Sequence, residues 1–389
     1  MVATAEITRT PSRSTLGKQR DNSTRGSGAV VRGEVRRTAR RITSRKSLRT
    51  CGLYSPEGKV GVSLTEAGSA SVSGVHTCGS RGMCPVCSAR LAGKQVADLE
   101  RSASRLLTGN QSAVMLTLTL PHQVGDDLGW LLDALQSAWN ATLSGQGRKV
   151  LRGYGLVHYF RGLDYTHSQN GHHPHYHAVL FFDRVLTDDD VWWIECDLRG
   201  RWERAIKRAT GRDCVRAGVK MEAVKGDEDG VRSVIRYCGK ALRGVLLESL
   251  WSQSKTAGKG RTIWEILADA EENERDQVLW RELEDGFHKR RWFVASRGLL
   301  AIGEEPEGEG DEENEPEERE HLVVLADQLW RAIARWGLTG AFLLACENNE
   351  RDPLTWHRWR FLCDVSLVDR WRDWDVALQP FQEPPEPSQ

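Results

Sequence analysis

The order of apolar and polar positions between residues 113 and 224 predicts four strands and two helices. Strands are indicated where apolar and polar residues alternate or β-branched and aromatic residues cluster, and helices where apolar residues recur every three or four positions. The predicted strands are residues 113–120, 153–164, 173–182 and 218–224, and the predicted helices are residues 127–143 and 187–209. This order, strand, helix, strand, strand, helix, strand, predicts an α+β fold, a split βαβ, ferredoxin-like sandwich with an antiparallel sheet.

The second and third strands are joined by Asn170-Gly171, which predicts a tight hairpin turn because both central residues of a type I′ turn need positive φ. With the turn placed there, Thr166 lies opposite His175 and Asp164 lies opposite His177. Side chains alternate between the two faces of a strand, so Asp164, His175 and His177 project from the same face of the hairpin.

Two imidazoles and one carboxylate on one face predict a divalent-metal site with open coordination positions. Pro174 interrupts the hydrogen bonding of the second strand, so it is a point at which the register can slip. The alternative interpretation is an exposed, His-rich hairpin that holds no metal.

Four cysteines upstream of these strands predict a structural zinc site. A C-x2-C pair follows a third cysteine by six residues, and a fourth lies further upstream; the set is Cys51, Cys78, Cys84 and Cys87. Four thiolates in two separated segments suit tetrahedral Zn²⁺. His76 competes with Cys51 as the fourth ligand, and the residues between the segments are typical of a short hairpin. Buried free cysteines are the alternative, but they do not explain the spacing.

Charge is distributed unevenly, although the formal net charge of the 389-residue chain is zero. Residues 1–50 carry 13 Arg and Lys against three acids, and residues 304–320 carry 11 acids against one Arg. Residues 1–48 are predicted to be a disordered arm because they contain too few apolar residues to form a core. The arm is either a solvated tail or a DNA-binding segment; its candidate phosphate contacts are Arg36, Arg37, Arg40 and Arg41.

No apolar run approaches the ~18 residues that cross a bilayer, and the N-terminus has no apolar segment of a signal peptide. We therefore expect a cytoplasmic protein without a membrane partner. In a reducing compartment, the nine cysteines favour metal binding over disulfides.

A further helix is predicted to begin near Asp229, and it places Tyr237 and Lys240 on one helical face. A phenol with a pKa of about 10 is a poor nucleophile without help. A lysine on the same face can hold either the phenolate or the phosphate that it attacks. Taken alone, a Tyr-x-x-Lys pair is more often an ordinary surface pair.

Three motifs in this order resemble those of plasmid rolling-circle replication initiators, which belong to the superfamily named for its His-hydrophobic-His (HUH) motif. The motifs are residues 116–122 (LTLTLPH), residues 173–177 (HPHYH) and residues 237–240 (YCGK), and the cysteine-rich segment with CPVCSAR is similar to that of one bacterial plasmid branch. The resemblance covers roughly residues 49–300. Relaxases of conjugation share this chemistry but carry their tyrosine before the His pair.

The resemblance implies a nickase in which Tyr237 attacks DNA and Lys240 stabilises the developing charge. Mg²⁺ or Mn²⁺ is held by His175 and His177, with Asp164 at a position where the family more often has Glu. The products are a 5′-phosphotyrosine and a 3′-hydroxyl that primes a polymerase. The expected partners are plasmid origin DNA, single-stranded at the nick, a host helicase and a polymerase; a homodimer is left open. Ser233 lies where some relatives carry a second nucleophile or a base.

The predicted domains are the arm (1–48), a zinc module (49–104), the endonuclease domain (105–260), a helical extension (261–303), a disordered acidic linker (304–320) and a C-terminal helical region (321–389). Lys255, Lys259 and Arg261 form a candidate DNA-facing patch. Tyr154, Phe160 and Trp192 offer surfaces for base stacking, although each is more typical of a core. The alternatives to a replication initiator are an HUH transposase, a relaxase-like nickase, or a zinc-stabilised DNA-binding regulator without enzymatic activity.

Overall fold

The computed structural model describes residues 35–64, 70–214, 218–224, 260–303, 322–335 and 337–347. These residues form two compact units. The large unit contains those within Val35–Tyr54 and Val75–Arg319, and the small unit contains those within Ser55–Gly74 and Glu320–Gln389. No helix in these described ranges is both long and apolar enough to span a membrane.

The elements are numbered in chain order. The helices of the large unit are α1 (35–42), α2 (Lys46–Thr50), α3 (Pro85–Leu106), α4 (Leu128–Leu143), α5 (Gly145–Gly153), α6 (Asp188–Thr210), α7 (Ile263–Asp269) and α8 (Glu274–Gly286). Its strands are β3 (Ser112–Thr119), β4 (Leu156–Ser168), β5 (Gly171–Phe182), β6 (Val219–Val224), β7 (Arg261–Thr262) and β8 (Phe293–Ala295). The small unit contains β1 (Lys59–Leu64), β2 (Ala70–Ser73), β9 (Val323–Ala326), α9 (Asp327–Arg335) and α10 (Thr339–Glu347).

The central sheet of the large unit has the strand order β6-β3-β5-β4-β7, with β8 also paired to β4. Every neighbouring pair is antiparallel, so the α+β class with an antiparallel sheet is confirmed. β3 lies inside the sheet, and its residues Val114, Leu116 and Leu118 are almost completely buried. The four strands and two helices predicted between residues 113 and 224 are all present, with ends that differ by a few residues.

Helices α4 and α6 pack against each other and cover the sheet face that carries Tyr176. Trp139 of α4 meets the ring of Tyr176 edge-on at a centroid distance of 5.7 Å. Trp202 of α6 is fully buried and donates its indole N–H to the last carbonyl of β3 at 2.8 Å. The predicted start of α6 is confirmed, because Thr187 and Asp190 form a capping box.

Helix α3 covers part of the opposite sheet face. Its inward residues recur at helical spacing and pack with residues from β3, β4, β5 and β8; the cluster is Val96, Leu99, Ala103, Ala113, Phe160, Val179, Phe181, Phe293 and Leu299. Val179 and Phe181 lie two and four positions beyond His177, on the same face of β5. Helix α3 therefore covers the end of this face that is distant from the β4–β5 turn.

The predicted disordered arm is corrected for residues 35–48, which are folded. Four apolar residues in this polar stretch point inward and are buried: Val35, Ala39, Ile42 and Leu48. The buried carboxylate of Glu284 in α8 accepts hydrogen bonds from the Thr43 hydroxyl and, at 3.2 Å, from the Ser44 backbone N–H. Average composition misses such a segment because a few well-placed apolar residues suffice when a neighbouring element supplies the core. Residues 1–34 lie outside the described part of the chain.

The small unit joins segments that are far apart in the sequence. The predicted hairpin forms as β1 and β2, but β1 also pairs on its other edge with β9, which lies in the region predicted to be helical. The predicted boundaries are corrected accordingly, since residues 55–74 group with the C-terminal segment and not with the zinc module. Asp327 links the two segments by accepting a hydrogen bond from the Ser55 backbone N–H at 2.6 Å. The acidic linker (304–320) and the Trp-rich end beyond residue 347 lie outside the described residues.

Candidate metal centres

The β4–β5 hairpin forms with a register that differs from the predicted one by two residues. Asp164 pairs with His175 and Gly162 pairs with His177, whereas the sequence predicted Asp164 opposite His177. The difference arises at the turn, because Gly171, with a φ of 86°, is the first residue of β5. A shift of two residues returns each side chain to its original face. The predicted set of side chains is therefore brought together although the pairing was wrong.

Asp164, His175 and His177 form one compact cluster. The Asp164 Oδ2 atom lies 3.1 Å from His175 Nε2 and 3.6 Å from His177 Nε2. The two Nε2 atoms are 3.1 Å apart. Ligand atoms bound at about 2.1 Å and at right angles around an octahedral ion lie about 3 Å apart. The cluster therefore fits three neighbouring positions of such an ion and leaves the other positions open.

Hydrogen bonds on the far side of each imidazole orient the cluster. His175 donates its Nδ1–H to the His173 carbonyl at 3.4 Å, which leaves Nε2 as the ligand atom when the ring is neutral. His177 Nδ1 lies 3.1 Å from the hydroxyl of Thr117 on the neighbouring strand β3. Asp164 Oδ1 accepts the Tyr165 backbone N–H at 2.7 Å. Partners of this kind fix the tautomer and the direction of metal ligands.

The electrostatics of the cluster favour ionised Asp164 and protonated His175 when no metal is bound. Burial opposes ionisation of Asp164, but hydrogen bonds from His175 and His177 outweigh it and hold the pKa of the carboxyl below its usual range. Burial likewise opposes the charge on His175, yet the hydrogen bond to Asp164 raises the pKa of this imidazole overall. A cation that replaces the proton takes over the same interaction with the carboxylate.

Two histidines beside the cluster received no role from the sequence. The ring of His122, which follows β3, stacks on the ring of His173 at 4.6 Å. His173 in turn lies 5.0 Å from His175. Burial, together with the charges of His175 and His122, lowers the pKa of His173 to about 4, so this ring is neutral at physiological pH. The sequence signal that could have identified His122 was its position just after the predicted strand β3. Because β3 pairs with β5, a residue at the end of β3 lies close to His173 and His175.

The four predicted cysteines also come together. The Sγ–Sγ distances are 3.6 Å for Cys51–Cys84, 3.5 Å for Cys51–Cys87 and 3.7 Å for Cys78–Cys87. Zn–S bonds of about 2.3 Å at tetrahedral angles place sulfurs about 3.8 Å apart. Backbone N–H groups donate to the sulfurs of Cys51 and Cys84 at 3.4 Å, which favours thiolates. The cluster fits tetrahedral Zn²⁺ with no open position.

Cys51, and not His76, is the fourth member of this cluster. The ring of His76 stacks on that of Tyr54 at 5.0 Å, with the planes 10° apart. Hydrogen bonds from the thiols of Cys78, Cys84 and Cys87 lower the pKa of Cys51. Cys84 also caps the N-terminus of α3, so the cluster is attached directly to the helix that covers the sheet.

Two of the arginines predicted to contact DNA turn inward. Arg36 is only 5% exposed, and Arg40 donates to the Cys51 carbonyl. Burial and the charge of Arg36 lower the pKa of Arg40 to about 9. The predicted DNA contact of Arg36 is therefore corrected, because its buried guanidinium cannot reach a phosphate backbone. The guanidinium of Arg40 is partly buried and binds the Cys51 carbonyl, which corrects its predicted DNA contact. Arg37 and Arg41 remain exposed, and their contact with DNA stays a prediction.

Arg261 is also reassigned, because two carboxylates already bind its guanidinium. Its Nη1 and Nη2 atoms donate to Asp276 at 2.8 and 2.7 Å, and Nη1 lies 3.3 Å from Asp269. These hydrogen bonds connect β7 to the two helices that follow it, α7 through Asp269 and α8 through Asp276. Arg261 was predicted from charge alone, and charge does not reveal a partner eight or fifteen residues away.

The predicted stacking residues separate into core and surface positions. Phe160 is in the core, at 1% exposure, while Trp192 is 55% exposed and forms an edge-on pair with Trp193. Tyr154 packs beneath the Arg184 guanidinium at 5.8 Å. Tyr176 was expected to point away from the metal face, and its burial against Trp139 confirms this. Tyr237, Lys240, Ser233, Lys255 and Lys259 lie outside the described residues, so their roles stay predictions.

The structure defines the class of protein: an α+β protein with an antiparallel sheet, an Asp-His-His cluster on its central hairpin and a four-cysteine cluster upstream, each compatible with a metal ion. A family model described as "Replication protein" matches residues 70–337. This range is more than half of the chain, and the chain belongs to this family of replication (Rep) proteins.

A relative in Streptomyces lividans, named "Protein rep", is 29% identical to this chain over 153 residues. The match covers 32% of this chain and 34% of the relative, so it spans about a third of the relative's length. The chain is similar to this protein over that part. No solved structure matches the chain.

Proposed function

We propose that this protein initiates rolling-circle replication of a plasmid by nicking one strand at the double-strand origin, and that it later rejoins the strand. The observation that carries the proposal is the Asp164–His175–His177 cluster on the central hairpin of a replication-family protein. A binding protein has no need for three converging ligand atoms with open positions beside them, whereas phosphodiester cleavage uses such an arrangement.

The sheet topology supports the finer assignment to the HUH endonucleases. The strands follow the order β6-β3-β5-β4, and helices join β3 to β4 and β5 to β6. This is the arrangement of a split βαβ, ferredoxin-like sandwich. It places the His-x-His segment on an inner strand, β5, with the third strand of the site, β3, directly beside it.

Asp164, His175 and His177 hold Mg²⁺ or Mn²⁺, ions that carboxylate ligands such as Asp164 suit. When bound, the ion draws negative charge from the scissile phosphate. The residues around it keep the ligands in place, because Thr117 and the His173 carbonyl fix the two imidazoles. The four cysteines hold Zn²⁺ in a structural role.

Tyr237 supplies the nucleophile. Its phenolate oxygen, after losing its proton, forms a bond to phosphorus, and the bond from phosphorus to the 3′-oxygen of the preceding nucleotide breaks. The leaving oxygen takes up a proton and becomes the 3′-hydroxyl that primes a polymerase. Lys240 stabilises the charge that develops near the phenolate. The 5′-phosphate stays on the tyrosine, and this ester preserves the energy of the broken bond for rejoining without ATP.

The substrate is origin DNA that is single-stranded at the nick, because the scissile phosphate of a base-stacked duplex cannot adopt the geometry that in-line attack needs. A hairpin extruded at the origin supplies such a segment. The nicked product then passes to a host helicase and polymerase. An HUH transposase or a relaxase-like nickase would leave the same covalent adduct but would act on a different DNA site.

The experiment uses an oligonucleotide that spans the nick, with Mn²⁺ present. Wild-type protein is expected to form a denaturant-resistant adduct whose 5′-phosphate maps to the peptide containing Tyr237. Tyr237→Phe removes one oxygen and should abolish the adduct while DNA binding persists. A purely regulatory DNA-binding protein would give neither adduct nor nicked plasmid. An adduct on another tyrosine would overturn the assignment of Tyr237.

A further inference from the structure

Two arginines of α1 contact the chain at Cys51 and Gly52, beside the cysteine cluster. Arg40 donates from Nε and Nη2 to the Cys51 carbonyl, at 3.1 and 2.5 Å. The Arg36 guanidinium lies against Gly52, where a Cβ would collide with it. Gly52 also has a φ of 62°, so glycine meets both the backbone and the packing requirement at this point. The ligand loop and the two guanidinium groups therefore fit closely together.

The two adjacent arginines of the same helix provide a contrast. Arg36 and Arg40 are four residues apart and share one helical face, and Arg37 and Arg41 share the next. Arg37 lies 3.3 Å from a Glu271 carboxylate oxygen, and Arg41 donates to the Glu271 backbone carbonyl at 2.8 Å. The outer pair is about half exposed in solvent, with side-chain exposures of 48% and 55%. Arg36 is buried and Arg40 is partly buried, whereas Arg37 and Arg41 are exposed, although both pairs have the same spacing.

Buried positive charge needs nearby negative charge, because the cost of removing an ion from water is several kcal/mol. Four neutral thiols offer the two guanidiniums no compensation, and the two cations repel each other. Four thiolates around one Zn²⁺ carry a net charge of minus two. Two arginines cancel that charge, so the inner pair and a loaded zinc site stabilise each other.

We infer that Arg36 and Arg40 form a cationic outer shell of the zinc site. They act as positioning residues: Arg40 fixes the Cys51 ligand through its carbonyl, and both guanidiniums neutralise the zinc–thiolate cluster and slow the loss of zinc. The inference rests on the zinc part of the proposed function. It also assigns Arg36 and Arg40, in the basic N-terminal segment, a function other than DNA binding.

The test uses zinc-loaded full-length protein and measures the rate at which a chromogenic chelator removes the metal. Arg36→Gln and Arg40→Gln are expected to release zinc at least about tenfold faster, the usual scale for loss of an outer-shell partner. Arg37→Gln and Arg41→Gln are matched controls on the same helix and should release zinc at the wild-type rate. Arg40→Lys keeps the charge, and it should restore part of the retention that Arg40→Gln loses.

Cobalt substitution gives a second readout that does not depend on folding stability. The thiolate-to-cobalt absorption bands should shift in Arg40→Gln and stay unchanged in Arg41→Gln. Equal zinc release from all four glutamine variants would overturn the inference, as would a loss of DNA affinity in the inner pair with zinc release unaltered. If wild-type protein holds no zinc, the inference fails together with the zinc assignment. Adduct formation by Tyr237 would be unaffected, which distinguishes this failure from failure of the nickase.

Discussion

Asp164 and His175 face each other across the β4–β5 hairpin, and the carboxylate Oδ2 lies 3.1 Å from the imidazole Nε2. The two residues come from directly paired positions of one ribbon. Their separation is therefore set by strand pairing and not by a flexible loop. Because β3 flanks β5 on its other side, the ribbon is held within the sheet, and the third member of the cluster, His177, is positioned by the same backbone.

The proposed histidine ligands should separate nicking from binding. His175→Ala and His177→Ala should each abolish nicking of supercoiled origin plasmid, by at least about a hundredfold, whereas affinity for duplex origin DNA should stay nearly unchanged. In the proposed mechanism the metal acts in the transition state, whereas binding rests on phosphate and base contacts made elsewhere. Gel assays of nicked plasmid alongside equilibrium binding check this. A parallel loss of both activities would indicate that the histidines are structural.

Metal binding should weaken as pH falls. Metal ligation needs a neutral imidazole, and the hydrogen bond to Asp164 raises the pKa of His175, so proton competition starts above the usual value of about 6.5. Calorimetric Mn²⁺ titrations between about pH 6 and pH 8 should show affinity rising with pH. Asp164→Asn should lower the affinity and move the rise to lower pH. A pH-independent affinity in the wild-type protein would contradict the assigned ligands.

The same pKa shift has a consequence for stability without metal. When a histidine has a higher pKa in the folded than in the unfolded state, its protonation stabilises the fold at pH values below the unfolded-state pKa. This contribution is lost as the pH rises through the folded-state pKa. The metal-free protein should therefore lose part of its stability on going from about pH 6 to pH 8, and added Mn²⁺ should restore it. His175→Ala should remove both effects in thermal denaturation measurements.

The cysteine cluster should contain about one zinc ion per chain. Cys84→Ser or Cys87→Ser should release it and unfold the surrounding segment, because the free energy of metal binding in such sites contributes directly to folding. Elemental analysis and limited proteolysis check the two parts of this prediction. Cys196→Ser is a suitable control, since Cys196 lies outside the cluster. A wild-type protein without zinc would contradict it.

Arg261 should contribute to stability and not to DNA affinity. Arg261→Gln leaves the buried Asp276 carboxylate, whose side chain is 4% exposed, without its two charged hydrogen bonds. Hydrogen bonds to charged groups are worth about 1.5–3 kcal/mol each, and the partial exposure of Arg261 argues for the lower end. Chemical denaturation should show that the free energy of unfolding falls, by about the lower end of this range for each hydrogen bond. A drop in DNA affinity with unchanged stability would instead return Arg261 to the DNA-facing set.

The sequence predicted the parts of the fold that local pattern controls. The alternation in β3, the capping residues of α6 and the His-x-His ribbon all lie within short windows, and each is present. The face shared by Asp164, His175 and His177 was also predictable, because an error of two residues in register leaves the face unchanged. The residue that pairs with Asp164 across the hairpin was not predictable, because the pairing depends on which residue of the turn adopts a positive φ.

Contacts between segments that are distant in the chain could not be predicted from the sequence. The pairing of β1 with β9 and the docking of Thr43 on Glu284 join residues separated by more than two hundred positions. A polar stretch such as residues 35–48 folds because another part of the chain supplies its apolar surroundings and a buried carboxylate. Exposure of Trp192 was likewise unpredictable, since helical spacing shows which residues share a face but not whether that face is covered.

Helix α3 begins at the cysteine cluster, with Cys84 as its N-cap and Cys87 in its first turn, and carries core residues such as Val96 and Leu99 further along. One continuous helix therefore carries both a part of the cysteine cluster and a part of the hydrophobic core. A shortened chain that begins at residue 105 would lose that part of the core and leave Phe160, Val179 and Phe181 facing water. The cysteine segment therefore folds together with the sheet that follows it, and exchanging it between relatives would also exchange the core residues Val96, Leu99 and Ala103.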